Sequence, residues 1–572
     1  MLSISPSPEL LLGRFGLGGF RSGQREAVAA VLAGRDCVVV MPTGGGKSLC
    51  YQLPALAGRG LVVVVSPLIA LMADQLSALL NAGVHATMIA SGMPPEYNDK
   101  ALRDLGSGRA QLVLVSPERF ASHAFRRVLM KRRIALFVVD EAHCVAEWGH
   151  DFRPDYLRLS GVIKSLGRPP VMAATATATP PVTREIALRL GLRNWLQINC
   201  GYERPNLTLD VVTVQGEGMF ERKRELLLRA LSDGPSLPAV VYCGTRKDTE
   251  RVSQVVGELG VEVVGYHAGK SAQDRWASQQ AFMAGKAQVV VATNAFGMGV
   301  NKADVRTVVH WAVPKSVEAY YQEAGRAGRD GKPAKALLLA ARTDLARLIR
   351  FNDRRDIEVP DVEHYIERLT ERARGGVVDS EALEEEDRIL MSVAEHAGAL
   401  FVGSSPQGRL RLTLTGRLDA CAADHAIKAA QERCWQSYHA IEQFISSDDC
   451  RRRQILDFFG DTQPPKPTVR CCDVCESPWD ALAVPSFDAR ELKRLKQWRA
   501  ERARGRPAYM VATDAALKEM LQRHPKNAQG LLRIPGIGKV FCEQHGPSLL
   551  EVLHGLPSAR SRTQARESDP AA

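Results

Sequence analysis

The chain lacks the marks of export. Its start, MLSISPSPELLLGRFG, has no basic segment ahead of an apolar run, so no secretory signal is expected. A membrane span is lacking too. The most apolar long stretch, LVVVVSPLIALMADQLSALL, is interrupted by Pro67, Asp74 and Gln75 and reads as strand, loop and helix. Cysteine is sparse: twelve in 572 residues do not make a disulfide scaffold. Only Cys450, Cys471, Cys472 and Cys475 gather, and without an export signal that cluster points to metal before disulfide. Acidic charge is in deficit. Asp and Glu number 64 against 75 Lys and Arg, a net charge of +11 that implies a polyanionic partner without choosing between nucleic acid and membrane surface. What remains, 45% hydrophobic and 24% charged, is a globular composition, and the length favours several domains over one core.

Short β-branched runs recur to about residue 340, among them DCVVV, LVVVV, QLVLV, IALFVV, PVMAAT, AVVY, VEVVGY, AQVVVA and VRTVVH. Each is almost wholly apolar and ends in small or polar residues, as parallel strands buried on both faces require. Helix-length segments separate them. The pattern predicts an α/β fold of two doubly wound parallel-sheet lobes, with chemistry outside the carboxyl ends of the strands. GYERPNL, Gly201 to Leu207, reads as the linker between lobes spanning 1–200 and 201–345.

The first polar strand end is MPTGGGKS. Thr43, Gly44, Gly45 and Gly46 can close backbone N–H groups around phosphate oxygens, with a helix N-terminus behind them. Lys47 would reach the β- and γ-phosphates and Ser48 a Mg²⁺ ion. The strict phosphate-loop pattern wants glycine where Met41 stands, so the match fails by one residue. Asp140 and Glu141 end the strand IALFVV. The first can hold Mg²⁺, and the second can orient or deprotonate the attacking water. In the second half, QEAGRAGRDG sets Arg326 and Arg329 three apart in a glycine-rich turn, suited to stabilising transition-state charge from another lobe. A solvated basic turn is the bland alternative.

Taken together these motifs resemble superfamily-two helicases of the DEAH type, specifically the RecQ family, over residues 10 to 340. FRSGQREA is similar to the family's element ahead of the phosphate loop, which implies that Gln24 reads adenine and Arg21 packs on it. Leu17 stands where an aromatic is usual. MPTGGGKSLCYQ matches the family with Met41 included. SPLIALMADQ, SPERF, TAT, YCGTR, YHAGKS, VATNAFGMGVNKADVR and QEAGRAGRDG follow in the family's order. The resemblance implies RecA-like lobes, with Arg329 as arginine finger, Arg326 as its support, and Gln322 counted among the catalytic candidates. It implies ATP- and Mg²⁺-dependent 3′-to-5′ movement on single-stranded DNA with separation of forked or partly duplex DNA, in recombination and repair. The expected setting is a monomer on cytoplasmic, nucleoid-associated DNA, with no membrane role. A translocase that unwinds poorly and a DNA-binding scaffold stay open as alternatives.

After residue 340 the pattern turns helical. DCRRRQIL and DFFG resemble the zinc-bearing module of RecQ proteins, placed here over 431–480. Cys450, Cys472 and Cys475 match three ligands. The fourth is expected at Val469, and Cys471 is the substitute that would complete a closed Zn²⁺ site. The alternative is a three-thiol remnant without stable metal. Between core and module, 355–430 reads as a helix over 381–398 followed by a basic hairpin, a winged-helix-like insert or a simple helical brace. Residues 486–556 resemble an HRDC helical bundle, with Leu492, Leu495 and Trp498 on one helix face, and 557–572 reads as a disordered tail.

The stretch DEAHCVAEWGHDFRPDY divides between two tasks. Asp140 and Glu141 face ATP, and His143 bonds toward the TAT motif or the second lobe. The remainder resembles the family's aromatic-rich loop. It implies that Trp148 and Phe152 stack on bases and that Arg153 meets phosphate, a coupling between DNA and the nearby carboxylates.

Overall fold

The apolar runs become the two sheets they predict. The structure is a computed structural model. It describes residues 7–91, 93–146, 154–216, 218–232, 235–296, 302–353, 357–380, 385–404, 410–476, 489–503, 511–523, 525–532, 534 and 536–554. The first lobe holds β1 (Cys37–Val40), β2 (Leu61–Val65), β3 (Ala86–Ile89), β4 (Leu112–Val115), β5 (Ile134–Asp140), β6 (Val171–Thr175) and β7 (Leu196–Asn199). They run parallel in the order β3-β4-β2-β5-β6-β1-β7. The second lobe holds β8 (Leu207–Val214), β9 (Ala239–Tyr242), β10 (Val263–Tyr266), β11 (Val289–Ala292), β12 (Thr307–His310) and β13 (Ala334–Ala341), parallel in the order β10-β11-β9-β12-β13-β8. Every residue of β1, β2, β4, β9, β11 and β12 is buried, as strands covered by helices on both faces must be. Each buried valine contributes roughly 1.5–3 kcal/mol.

Register sets the site. Val40 pairs with Thr175 and Asp140 with Ala174, so the carboxyl ends of β1, β6 and β5 lie side by side. The phosphate loop, the TAT motif and the paired carboxylates therefore emerge at one edge of one sheet.

The segment ahead of the cysteine cluster forms a third core. β14 (Val377–Ser380), β15 (Leu400–Ser404) and β16 (Leu410–Leu414) make an antiparallel sheet ordered β14-β16-β15. The predicted hairpin is β15 and β16, and the predicted helix occupies Glu385–His396. Met391, Val393, Leu400, Val402 and Leu412 pack there with Val362 and Tyr365 of the helix Val359–Arg372. A 27-residue helix, Ala420–Ser446, runs across position 430, where the sequence reading divides insert from zinc module. Its Ala423, Ala426 and Ile427 fill the insert's core, whereas Ile441, Phe444 and Ile445 join the core of the lobes.

By its contacts the chain divides into two compact units, Met1–Ser477 and Pro478–Ala572. The second has its own core of Leu495, Trp498, Leu517, Met520 and Leu549, on the helices Ala489–Ala503, Asp514–Arg523 and Lys539–His554. Leu495 and Trp498 are the buried face that the spacing predicts, with Leu492 partly buried beside them. No helix among the described residues is long and apolar enough to cross a membrane.

Candidate functional site

The phosphate loop turns from β1 into the helix Lys47–Ala55. Gly44 at φ +85° and Gly46 at φ +87° hold left-handed backbone that side chains rarely adopt. At Gly45 the limit is space, since a Cβ would stand 2.5 Å from Met41 Cγ and 2.9 Å from the Pro42 carbonyl. Met41 itself is buried in the core under the loop. The side chain that broke the strict pattern therefore belongs to the packing beneath the phosphate site. Gln24 donates from Nε2 to the carbonyls of Gly45 (3.2 Å) and Gly46 (3.1 Å), and its Oε1 accepts from the Arg21 N–H at 2.8 Å. Arg21 donates to the Gly44 carbonyl at 2.5 Å. In this structure Arg21 and Gln24 brace the loop from outside.

Across β6 stand the carboxylates. Glu141 has φ 48°, a left-handed conformation that costs a non-glycine residue about 1–3 kcal/mol. It turns the chain from β5 into the short 3₁₀ turn Ala142–Val145. Glu141 Oε2 lies 3.7 Å from Lys47 Nζ and 3.5 Å from His143 Nδ1. His143 Nδ1 is also 2.9 Å from Thr175 Oγ1, which ties it to the TAT motif. Behind them the hydroxyl of Tyr51 lies 3.2 Å from Gln75 Oε1, 3.3 Å from Ser48 Oγ and 3.5 Å from Asp140 Oδ2. Burial, and then the charge of Glu141, push the Asp140 carboxyl above its ordinary range. Burial acts on Glu141 in the same sense, but Lys47, His143, Arg326 and Arg329 outweigh it and hold that carboxyl low. The two acids thus differ in proton affinity. Glu141 is the one kept ionised and basic groups surround it, as a group that orients water needs. The pair Ser48 and Asp140, joined through Tyr51, offers hard oxygen donors of the kind Mg²⁺ takes.

The second lobe reaches this site from the other side. Ser316 caps the helix Val317–Ala324, accepting from the Ala319 N–H at 3.2 Å. That helix carries Gln322 and delivers the turn with Arg326 and Arg329. A Cβ on Gly44 would meet Arg329 Cγ at 3.4 Å, so the turn lies directly on the phosphate loop. Arg326 is buried. Burial, then Arg326 and Arg204, press the Arg329 guanidinium below its ordinary pKa. Lys47, Ser48, Asp140, Glu141, His143, Arg326 and Arg329 are thus brought to one cleft. Trp148, Phe152 and Arg153 lie outside the described residues.

Two residues of the cleft were absent from the sequence candidates. Tyr51 follows Ser48 by one helical turn, and i, i+3 spacing from a candidate Mg²⁺ ligand is a signal that could have found it. Arg204, in the linker, has no sequence signal. Its role comes only from what surrounds it.

The four clustered cysteines meet as well. The sulfurs of Cys450, Cys471, Cys472 and Cys475 all lie within 4.8 Å of one another. Cys450 and Cys471 are 3.5 Å apart, Cys472 and Cys475 3.5 Å, and Cys472 and Cys450 3.9 Å. Tetrahedral Zn²⁺ at about 2.3 Å from each sulfur sets neighbouring sulfurs about 3.8 Å apart. The donor set fits zinc, with Cys471 in the place the sequence expected at Val469. Residues 470–473 also bind β8: the Leu209 N–H donates to the Cys471 carbonyl (3.2 Å), Thr208 Oγ1 to the Arg470 carbonyl (2.8 Å), and the Val211 N–H to Asp473 Oδ1 (3.1 Å).

Comparison with known proteins finds matches domain by domain. Family models match for the DEAD/DEAH box helicase (residues 21–186), the helicase conserved C-terminal domain (222–331), RecQ zinc-binding (416–476) and the HRDC domain (488–553). The chain is similar to the ATP-dependent DNA helicase RecQ of Haemophilus influenzae, at 32% identity over 600 residues, covering 94% of each. It is 34% identical over 469 residues to the probable ATP-dependent DNA helicase RecS of Bacillus subtilis, covering 81% of this chain and 90% of that one. Among solved structures, the Mycobacterium smegmatis helicase Lhr bound to ssDNA and AMP-PNP superposes with a TM-score of 0.51 at 19% identity. That match covers 92% of this chain and 74% of that one, and it bears on the fold.

Proposed function

This chain belongs to the RecQ family of helicases, and we propose that it couples ATP hydrolysis to 3′-to-5′ movement along single-stranded DNA and to separation of duplex ahead of it, in recombination and repair. The observation that carries the reading is the cleft itself. Lys47 and Glu141 from one lobe face Arg326 and Arg329 from the other, so closing the lobes completes the site and opening them dismantles it.

In this reading Lys47 and the phosphate loop hold the β- and γ-phosphates, and Gln24 and Arg21 set the loop's path and meet adenine. Mg²⁺, held by Ser48 and Asp140, would neutralise charge on the transferring phosphate. Glu141, kept ionised by its basic neighbours, orients and deprotonates the attacking water. Arg329 stabilises charge in the transition state, a contribution of about 10³–10⁵ in rate for such a finger. Arg326 and Gln322 support it. His143, between Glu141 and Thr175, relays the state of the nucleotide to the TAT motif. Trp148, Phe152 and Arg153 grip the strand. Separating one base-pair step costs about 1.4 kcal/mol, well within one ATP, so the demand on the protein is coupling. Zn²⁺ held by the four thiolates would close a structural site. The insert, with its helices and three-stranded sheet, serves as a wing-like element that meets duplex DNA. The enzyme acts as a monomer on chromosomal DNA in the cytoplasm.

The test is strand displacement on duplexes carrying a 3′ or a 5′ single-stranded tail, with ATP hydrolysis followed in parallel. Unwinding of the 3′-tailed substrate alone is expected. Turnover with no unwinding of either would favour a translocase. Lys47→Ala is expected to abolish DNA-stimulated hydrolysis while single-strand affinity stays within about threefold, and normal turnover in it would overturn the site assignment.

A further inference from the structure

The linker between the lobes holds a buried arginine whose guanidinium donates to four main-chain carbonyls. Arg204 is 8% exposed. Its Nη1 donates to the carbonyls of Thr43 (3.2 Å) and Gly325 (2.8 Å), and its Nη2 to those of Ala327 (2.6 Å) and Gly328 (3.4 Å). Thr43 belongs to the phosphate loop of the first lobe, and the other three form the turn that ends in Arg329. A guanidinium fork is one of the few groups that can bind several carbonyls in one plane. The three turn carbonyls follow the C-terminus of the helix Val317–Ala324, the end where a cation is favoured. Contact here is tight. A Cβ on Gly325 would stand 2.8 Å from the Tyr321 carbonyl, 3.4 Å from Arg204 Nη1 and 3.5 Å from Thr43 Cβ.

Arg204 is itself held from behind. Arg452, 2% exposed, donates to the Arg204 carbonyl at 2.8 Å and to the Leu207 carbonyl, and pairs with Glu203. Tyr202 stacks on Phe459 with centroids 4.3 Å apart and planes at 6°, and its N–H donates to Asp461 Oδ2 at 3.1 Å. Arg452 and Phe459 belong to or directly follow the helix Arg451–Phe458, whose N-cap is Cys450 of the thiol cluster.

We propose that Arg204 is a positioning residue for ATP hydrolysis: it ties the arginine-finger turn to the phosphate loop, with Arg452 fixing the linker from the zinc module. The inference rests on the reading of Arg329 as the finger. Three of the bonds lie beside or within the second lobe's turn, and the fourth crosses to the first lobe. Arg204 therefore completes its set of partners only when the lobes are closed, the state in which Arg329 lies on the loop.

The test is steady-state ATP hydrolysis by the full chain on saturating single-stranded DNA, for Arg204→Ala, Arg204→Lys, Arg329→Ala and the Arg204→Ala/Arg329→Ala pair. Arg204→Ala is expected to lower kcat about 10²-fold, the scale of misplacing a catalytic group by about 1 Å. KM for ATP should stay within about threefold. In the Arg329→Ala background the same change should add nothing, because both remove one contact. Arg204→Lys keeps the charge and guards against a variant that fails to fold. One ammonium does not span four carbonyls on two lobes, so a loss of about tenfold in kcat is expected. A lysine variant with unaltered turnover, or alanine losses that multiply, overturns the inference while leaving the finger reading intact. Normal turnover in Arg329→Ala overturns the finger reading and the inference with it.

Discussion

Tyr51 shows how a single hydroxyl can organise two candidate Mg²⁺ ligands. It is fully buried, and burial followed by the charge of Asp140 pushes its phenol well above the ordinary value, so it stays neutral and keeps its proton for hydrogen bonding. Its neighbours Ser48, in the helix Lys47–Ala55, and Asp140, at the end of β5, come from different elements, and a common partner holds them at one spacing. Tyr51→Phe keeps the ring and its packing. It is expected to raise the Mg²⁺ concentration for half-maximal ATP hydrolysis several-fold while costing about 1 kcal/mol of stability, the scale of one hydrogen bond. A Mg²⁺ titration of the ATPase, with thermal melting alongside, checks both. At the same scale, Trp148→Ala is expected to lower DNA stimulation of the ATPase more than basal hydrolysis, since a base-stacking side chain contributes about 1–3 kcal/mol to strand binding and nothing to the nucleotide. Equal loss of both activities would count against coupling through that loop.

At the scale of elements, burial decided what could be read. β1, β2 and β9 are apolar throughout because both faces are covered, β5 is apolar up to its terminal Asp140, and the polar ends of β1 and β5 announced the phosphate loop and the carboxylates. β3 (ATMI) and β7 (LQIN) close the two edges of the first sheet, carry polar residues, and do not stand out as apolar runs. β13 (AKALLLAA) is alanine-rich and looks as much like helix as strand, yet it lies between β12 and β8. β14 pairs with β16 across more than thirty residues of chain, a pairing that local alternation does not encode. The carboxylates and Lys47 were legible because their chemistry is tied to short motifs. Arg204 was not, because its partners are main-chain carbonyls from both lobes, and carbonyls leave no trace in residue identity. The thiol cluster was half legible: three spacings fitted, and the fourth ligand needed the fold to bring Cys471 to within 3.5 Å of Cys450. Cys471→Ser is expected to lower bound zinc well below one per chain and to reduce thermal stability by several degrees, because zinc binding at such sites is folding free energy. Elemental analysis and melting curves measure the two. Full zinc occupancy in that variant would return Cys471 to a spectator.

For the whole molecule, the shared helix Ala420–Ser446 links three parts: the insert through Ala423 and Ile427, the lobes through Ile441 and Phe444, and the thiol segment that follows. A load on the insert therefore reaches the lobes along a rigid element. If the insert meets duplex as a wing-like element, Arg411→Glu on β16 is expected to weaken binding to a forked duplex several-fold at low salt, through lost phosphate attraction. Single-strand affinity should stay within about twofold. Unchanged fork affinity would leave the insert as a brace. Fluorescence anisotropy at two salt concentrations separates the outcomes.

The binding of residues 470–473 along β8 has a consequence in time. β8 is the last strand of its sheet, and the segment that covers its free edge is made about 260 residues later. At a synthesis rate of about 5–20 residues per second, that edge waits roughly 13–52 s for its partner. For about the last half of that interval, after β13 is complete, the second lobe has all six strands and an open row of backbone donors and acceptors, the kind of edge that recruits other chains. A chain ending near residue 345 would keep both lobes and remain in that condition permanently. The cysteine-bearing segment is thus the step that closes this edge of the lobe as it is born.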